Sequence, residues 1–361
     1  MARAVPRRRP LPVTPPPGPT AWERPGRLPA WLSWPVVVTG PLVAIALVFA
    51  LLFAPLPTLL PIPTFLVVVL AFWWFDRLEP EPWADRIHAM LWGGTVAIVV
   101  AFVINTGVGF VFGPVVATVV SAPIVEESAK AAGLLWIASR RRIDSVTDGL
   151  VFAGWIAAGF AAVENVNYFV EASAEGLLVG TFFLRGVLSP FVHPLFTIFV
   201  GITLARAVER GRSPWLGVLP GLLIAIVLHA LWNGAAVLGG GVVLLSLLAF
   251  AVLFGVACTV LVRQRGRLRR RTVALVPRLA ELYGLTPTEV ATFASWPRTL
   301  HVRRSLPRAQ RRGFDAVHGA VARVVGLHLG DVPPSPERQQ QALQELWAAR
   351  SGRSRYDLPS T

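Results

Sequence analysis

The chain has 361 residues, 54% of them hydrophobic, and a formal net charge of +14. So oily a composition excludes an ordinary soluble domain, and the single cysteine, Cys258, excludes an intrachain disulfide and a cysteine-built metal site. The basic charge lies at the ends and in short connections, with no recognition motif around it, so no nucleic-acid partner is expected.

Taken in chain order, residues 1–34 are rich in arginine and proline and read as a disordered tail. The late apolar onset, without a small-residue cleavage site, argues against a signal peptide. Residues 35–262 form the membrane domain. Apolar stretches at about 35–54, 58–75, 88–112, 114–138, 149–170, 178–205, 215–237 and 242–262 are each long enough to cross a bilayer as a helix. The sixth is overlong and interrupted by Arg185 and Pro190, which reads as a short re-entrant piece followed by a span. Arginines fall in the head, after the second stretch (Arg77, Arg86), after the fourth (Arg140, Arg141, Arg142), after the sixth (Arg206, Arg210, Arg212) and after the eighth (RQRGRLRRR). Apart from Arg185 at one margin, the alternate connections have none, which places both termini in the cytoplasm. Residues 263–361 are expected to form a basic cytoplasmic region near anionic headgroups. Its helices are predicted near 272–283, 287–295, 309–327 and 335–350, the second opened by a capping box at Thr286 and Glu289. The predicted fold class is therefore all-α: a polytopic transmembrane helical bundle of about eight spans.

Within the oily region the stretch PIVEESAKAAGLLW holds Glu126, Glu127 and Lys130, the chain's only lysine. Charge at that depth costs several kcal/mol, about 3 per side chain on insertion scales, unless it is partnered. The next three stretches also carry polar groups: Glu164, Asn165 and Asn167, then Arg185 and His193, then His229 and Asn233. At about 1.5 Å of rise per residue these fall at similar depths, so one buried polar cluster is expected. Glu126 and Lys130, four residues apart, can pair on one helix face, with Glu127 turned about 100° away. His229 and Asn233 have the same spacing and are expected to aim at a common point. Arg185 is read as lying near the outer margin or pairing with Glu164 or another acid. Asp76, Glu79 and Glu81 are read as a cytoplasmic capping element, and His88 as a surface residue.

Such a set suits amide hydrolysis. A buried carboxylate beside a histidine can take a proton from water, and a second histidine with an asparagine amide can donate to the oxyanion. The same groups could instead hold a zinc ion, through Glu127, His193 and His229. The other reading is a non-proteolytic membrane protein, a proton-coupled transporter or a scaffold, because Glu, His and Lys also build proton relays.

Five segments carry a resemblance: FDRLEPEPW (Phe75 to Trp83), EESAK (Glu126 to Lys130), GFAAVENVNYF (Gly159 to Phe169), HPLFT (His193 to Thr197) and HALWN (His229 to Asn233). In this order the chain resembles the PrsW family of intramembrane proteases, related to the CAAX-protease and bacteriocin-processing group, over roughly residues 65–240. The resemblance implies an integral membrane endopeptidase of a bacterial plasma membrane. It implies catalysis centred on Glu126 and Glu127, the first activating water with His193 assisting. His229 and Asn233 then serve as oxyanion donors, with Lys130, Glu164, Asn165 and Arg185 in support. The wider group has an arginine four residues after the second acid, where this chain has Ala131. The implied substrates are single-span membrane proteins in the lipid bilayer, cut near the outer face, anti-sigma factors among them.

Overall fold

The computed structural model describes residues 32–76, 81–143, 145–283, 285–329 and 336–351. The N-terminal tail predicted over 1–34 lies almost wholly outside them, as does Glu79. The described residues are helical, with no strand among them. Helices α1 (Trp34–Phe53), α2 (Pro55–Phe75) and α3 (Trp83–Phe112) lead to α4, residues 114–139, and α5 (Val146–Ala174). A short α6 (Leu178–Phe182) widens into π turns over Phe183–Leu188 and breaks at residues 189–191 before α7 (Val192–Glu209). The interruption expected in the sixth stretch therefore falls at Pro190, whose ring and missing N–H interrupt the helix. Helices α8 (Pro214–Leu238) and α9 (Gly240–Tyr283) complete this part, followed by α10 (Pro287–Phe293), α11 (Trp296–Ser305), α12 (Arg308–Leu329) and α13 (Pro336–Ser351).

Seven helical stretches of the described residues are long and apolar enough to cross a membrane. α4 is not among them, although it lies between two that are, because Glu126, Glu127 and Lys130 interrupt its apolar character. Large apolar side chains such as Phe110, Val179 and Leu223 point outward, as they do where the solvent is lipid. α5 is the central element, its most apolar window 72% buried, against 11% for α1. Small residues let its neighbours approach. A methyl group on Gly201 of α7 would overlap the carbonyl of Gly149 of α5, and one on Gly159 of α5 would overlap the carbonyl of Met90 of α3. This close approach brings side chains from different helices within hydrogen-bond range.

Helix ends follow local chemistry. Ser145 and Asp148 close a capping box at the start of α5, which the sequence reading did not pick out, and Thr286 and Glu289 close the predicted one at α10. α9 runs on for 44 residues, so the predicted helix at 272–283 is its continuation rather than a separate element. α11 was not predicted; Thr299 Oγ1 ties it to Thr292 O at 2.8 Å, and Arg303 pairs with Asp315 of α12 at 2.7 Å. Around them Leu285, Val317, Val321, Val324 and Leu346 form a second apolar cluster.

The junction between α2 and α3 forms the interface element that the acidic segment suggested. Asp76 pairs with Arg86 at 2.9 Å and accepts from the Glu81 backbone N–H at 3.1 Å, while Arg86 Nε donates to Glu81 O. His88 is not a surface residue: it is fully buried, 2.8 Å from Ser33 Oγ and stacked on Trp136 with ring centres 3.9 Å apart. The helix start turns it inward onto an indole face that covers its apolar ring.

Candidate active site

Four helical elements deliver the expected cluster. Pro123, in the first turn of Ala122–Ser139, follows a wide π turn over Ala117–Ser121, and one turn later come Glu126, Glu127 and Lys130. His193 sits in the first turn of α7, directly after the break, so its ring is held at the junction of α5, α6 and α7. His229 comes from the buried face of α8 and Glu164 from α5.

Glu127 is fully enclosed. Lys130 Nζ donates to its Oε1 at 2.8 Å, His229 Nδ1 lies 3.1 Å from the same oxygen, and Thr197 Oγ1 donates to Oε2 at 3.0 Å. Lys130 lies 3.8 Å from Glu126 Oε2, so the tighter ion pair is with Glu127, three residues away, not with Glu126 as the spacing suggested. The helix rotation that buries Lys130 over the Phe160 ring, 3.9 Å from its centre, carries its ammonium to that side. A carboxylate only accepts, so His229 donates from Nδ1 and keeps its lone pair on Nε2, 3.8 Å from Glu126 Oε2. Glu126 Oε2 is buried with no hydrogen-bond partner.

His193 bridges the two halves, with Nδ1 3.3 Å from Lys130 Nζ and Nε2 2.9 Å from Glu164 Oε2. Glu164 also pairs with the Arg185 guanidinium, whose Nε donates to Asn165 Oδ1 at 2.7 Å. The pairing of Arg185 with Glu164 is thus present.

Asn233 is not joined to this cluster. Its Nδ2 donates to Thr118 O at 2.8 Å, capping a carbonyl of the π turn that precedes the acidic pair. The His229 and Asn233 side chains share a helix face, yet one meets a carboxylate and the other a backbone oxygen. Asn167 is exposed. Asn105 accepts from Ser121 Oγ at 2.7 Å, joining α3 to α4. Thr197 was not singled out from sequence, although its place one turn after His193 on the same face could have marked it.

The ligand set also differs from the expected one. Among the described residues, Glu126, His193 and His229 are those whose donor atoms lie within 4.8 Å of one another, whereas Glu127 stands behind His229. These residues fit a metal such as zinc on two observations. Glu126 presents an orphaned buried oxygen, and the His229 ring is backed by a carboxylate, the usual outer-shell arrangement of a metal-binding imidazole. Charge agrees: three carboxylates, Glu126, Glu127 and Glu164, face two cations, Lys130 and Arg185. One negative charge is left to be met by a proton or a bound cation.

The chain is similar to known proteins. The chain is 23% identical over 171 residues to Protease PrsW of Geobacillus kaustophilus, a match covering 46% of this chain and 74% of the relative. It is 27% identical over 180 residues to Protease PrsW of Clostridioides difficile, again covering 46% and 74%. For Protease PrsW of Bacillus subtilis the match is 25% over 176 residues, covering 45% and 74%. No solved structure matches the chain. The profile of the PrsW family intramembrane metalloproteases matches residues 81–262, which hold every member of the cluster. With seven helices among the described residues long and apolar enough to span a bilayer, this integral membrane protein belongs to the PrsW family of intramembrane metalloproteases.

Proposed function

We propose that the protein is an endopeptidase that cleaves single-span membrane proteins within the bilayer, with Glu126 as the group that takes a proton from the attacking water. The carrying observation is the orphaned Glu126 Oε2, buried and facing the lone-pair side of His229. A free acceptor next to a fixed imidazole is what proton abstraction needs. Glu127, charge-paired with Lys130, holds His229 in the tautomer that faces Glu126. After water attacks the scissile carbonyl, the proton held by Glu126 passes to the leaving amine, and His193, held by Glu164 at 2.9 Å, assists.

 When bound at Glu126, His193 and His229, a metal would polarise the water and the scissile carbonyl.

The remaining parts of this reading follow from sequence and relatives. The chain crosses the membrane eight times, α4 included, with both termini in the cytoplasm of a bacterial plasma membrane. The polar cluster then lies in the central and outer half of the bilayer. Substrates are cut near the outer face, and anti-sigma factors are the class to try first. Support comes from the arginine-rich alternate loops and from relatives named as proteases.

The test is cleavage of a panel of co-expressed single-span membrane proteins by wild type, Glu126→Gln and Glu127→Gln at equal expression. A product made only by wild type is expected. Identical patterns from all three, across a broad panel and with folded protein, would overturn the reading. Metal content of the detergent-purified protein, measured by mass spectrometry, decides separately between a metal-assisted and a metal-free route.

A further inference from the structure

Glu164 occupies the more open side of the cluster. Its side chain and that of Arg185 are 14% and 16% exposed, whereas Glu127 and Lys130 are fully enclosed. Its Oε2 accepts from the Arg185 guanidinium and stands 2.9 Å from His193 Nε2. Arg185 is itself fixed on two more sides: Nε donates to Asn165 Oδ1 at 2.7 Å, and the guanidinium lies 3.7 Å over the Tyr168 ring. A carboxylate held this way can only accept, so the hydrogen of the neutral His193 ring must be on Nε2. The lone pair is then on Nδ1, the nitrogen 3.3 Å from Lys130 Nζ on the enclosed side.

We propose that Glu164 is a positioning residue for His193, locked in place by Arg185. It sets the tautomer and direction of the ring, so that the Nδ1 lone pair faces Lys130 on the enclosed side, where Glu126, His193 and His229 converge. Glu127 does the same for His229 from the other side. The two imidazoles are thus each backed by a different carboxylate, and each carboxylate is neutralised by its own cation, Lys130 or Arg185. This proposal rests on the reading that His193 works at the Glu126 centre. Against it stands a purely mechanical role, in which the Arg185–Glu164 pair only ties the α6 segment to α5.

Ring-nitrogen NMR of the full-length protein, with histidine labelled in both ring nitrogens and His193 assigned by substitution, separates the two. Wild-type His193 should show a protonated Nε2 and a bare Nδ1. Glu164→Gln should redistribute the His193 tautomers, leave the His229 signals in place, and weaken zinc binding about 10–100-fold, the range seen when outer-shell partners are lost. Arg185→Lys, which keeps the charge but not the fork, should weaken it less. A wild-type His193 protonated on Nδ1 overturns the proposal, and that result needs no variant to fold. So does a Glu164→Gln protein that melts earlier but keeps the wild-type tautomer and zinc affinity. A wild type that binds no zinc counts against the metal route alone, and the tautomer readout still decides the role of Glu164.

Discussion

Replacing Lys130 with methionine keeps the length of the side chain and removes its charge, leaving Glu127 as an uncompensated anion with no exposure. At 2.8 Å and an effective dielectric constant of about 20, the lost attraction is about 6 kcal/mol, and the contact to Glu126 at 3.8 Å adds about 4. Desolvating the ammonium offsets much of this, so the net loss should fall near the measured range for breaking a buried pair, about 3–5 kcal/mol. For a domain of this size that is a fall in melting temperature on the order of 10 °C. The assay is thermal unfolding of the purified protein in detergent for wild type, Lys130→Met, Glu127→Gln and the double variant. The double variant should recover much of the loss, because the stranded charge is gone. Two results would refute the reasoning: Lys130→Met melting with wild type, or a double variant no more stable than Lys130→Met.

Other outcomes follow from the same contacts. Thr197→Val should cost about 1–3 kcal/mol by leaving Glu127 Oε2 without its hydroxyl donor, with Thr197→Ser close to wild type in the same unfolding assay. His229→Ala should abolish cleavage of any substrate found in the panel, while Asn233→Ala, which loses only the bond to Thr118 O, should lower the rate partially and cost about 1 kcal/mol of stability. Burial pushes the Asp76 carboxyl up from 3.8 to about 6, against the pull of the Arg86 guanidinium 2.9 Å away. The folded state therefore holds this proton more tightly than the unfolded chain. Its stabilising contribution is complete below pH 3.8 and is lost as pH rises through about 6. Unfolding measured across that window should show a downward slope with pH that Asp76→Asn lacks.

Span positions, the arginine-bearing connections and the residues too polar for their surroundings were all legible in the chain itself, because bilayer thickness and the cost of buried charge act on any apolar helix. The break at Pro190 and the capping box at Thr286 were legible for the same kind of local reason. Partner choice was not. Spacing places Glu126 and Lys130 on one helix face, yet the ammonium lies 2.8 Å from Glu127 and 3.8 Å from Glu126. Spacing likewise groups His229 with Asn233, which meet Glu127 and Thr118 respectively. Which carboxylate is left with a free oxygen, and which cation neutralises which acid, depends on how α4, α5, α7 and α8 are rotated about their axes and slid along one another. Those rotations are set by small-residue contacts such as Gly149 against Gly201, between segments distant in sequence. A helix's own periodicity carries its faces but not the angle at which a neighbour meets them, so only the packed tertiary structure could separate Glu126 from Glu127.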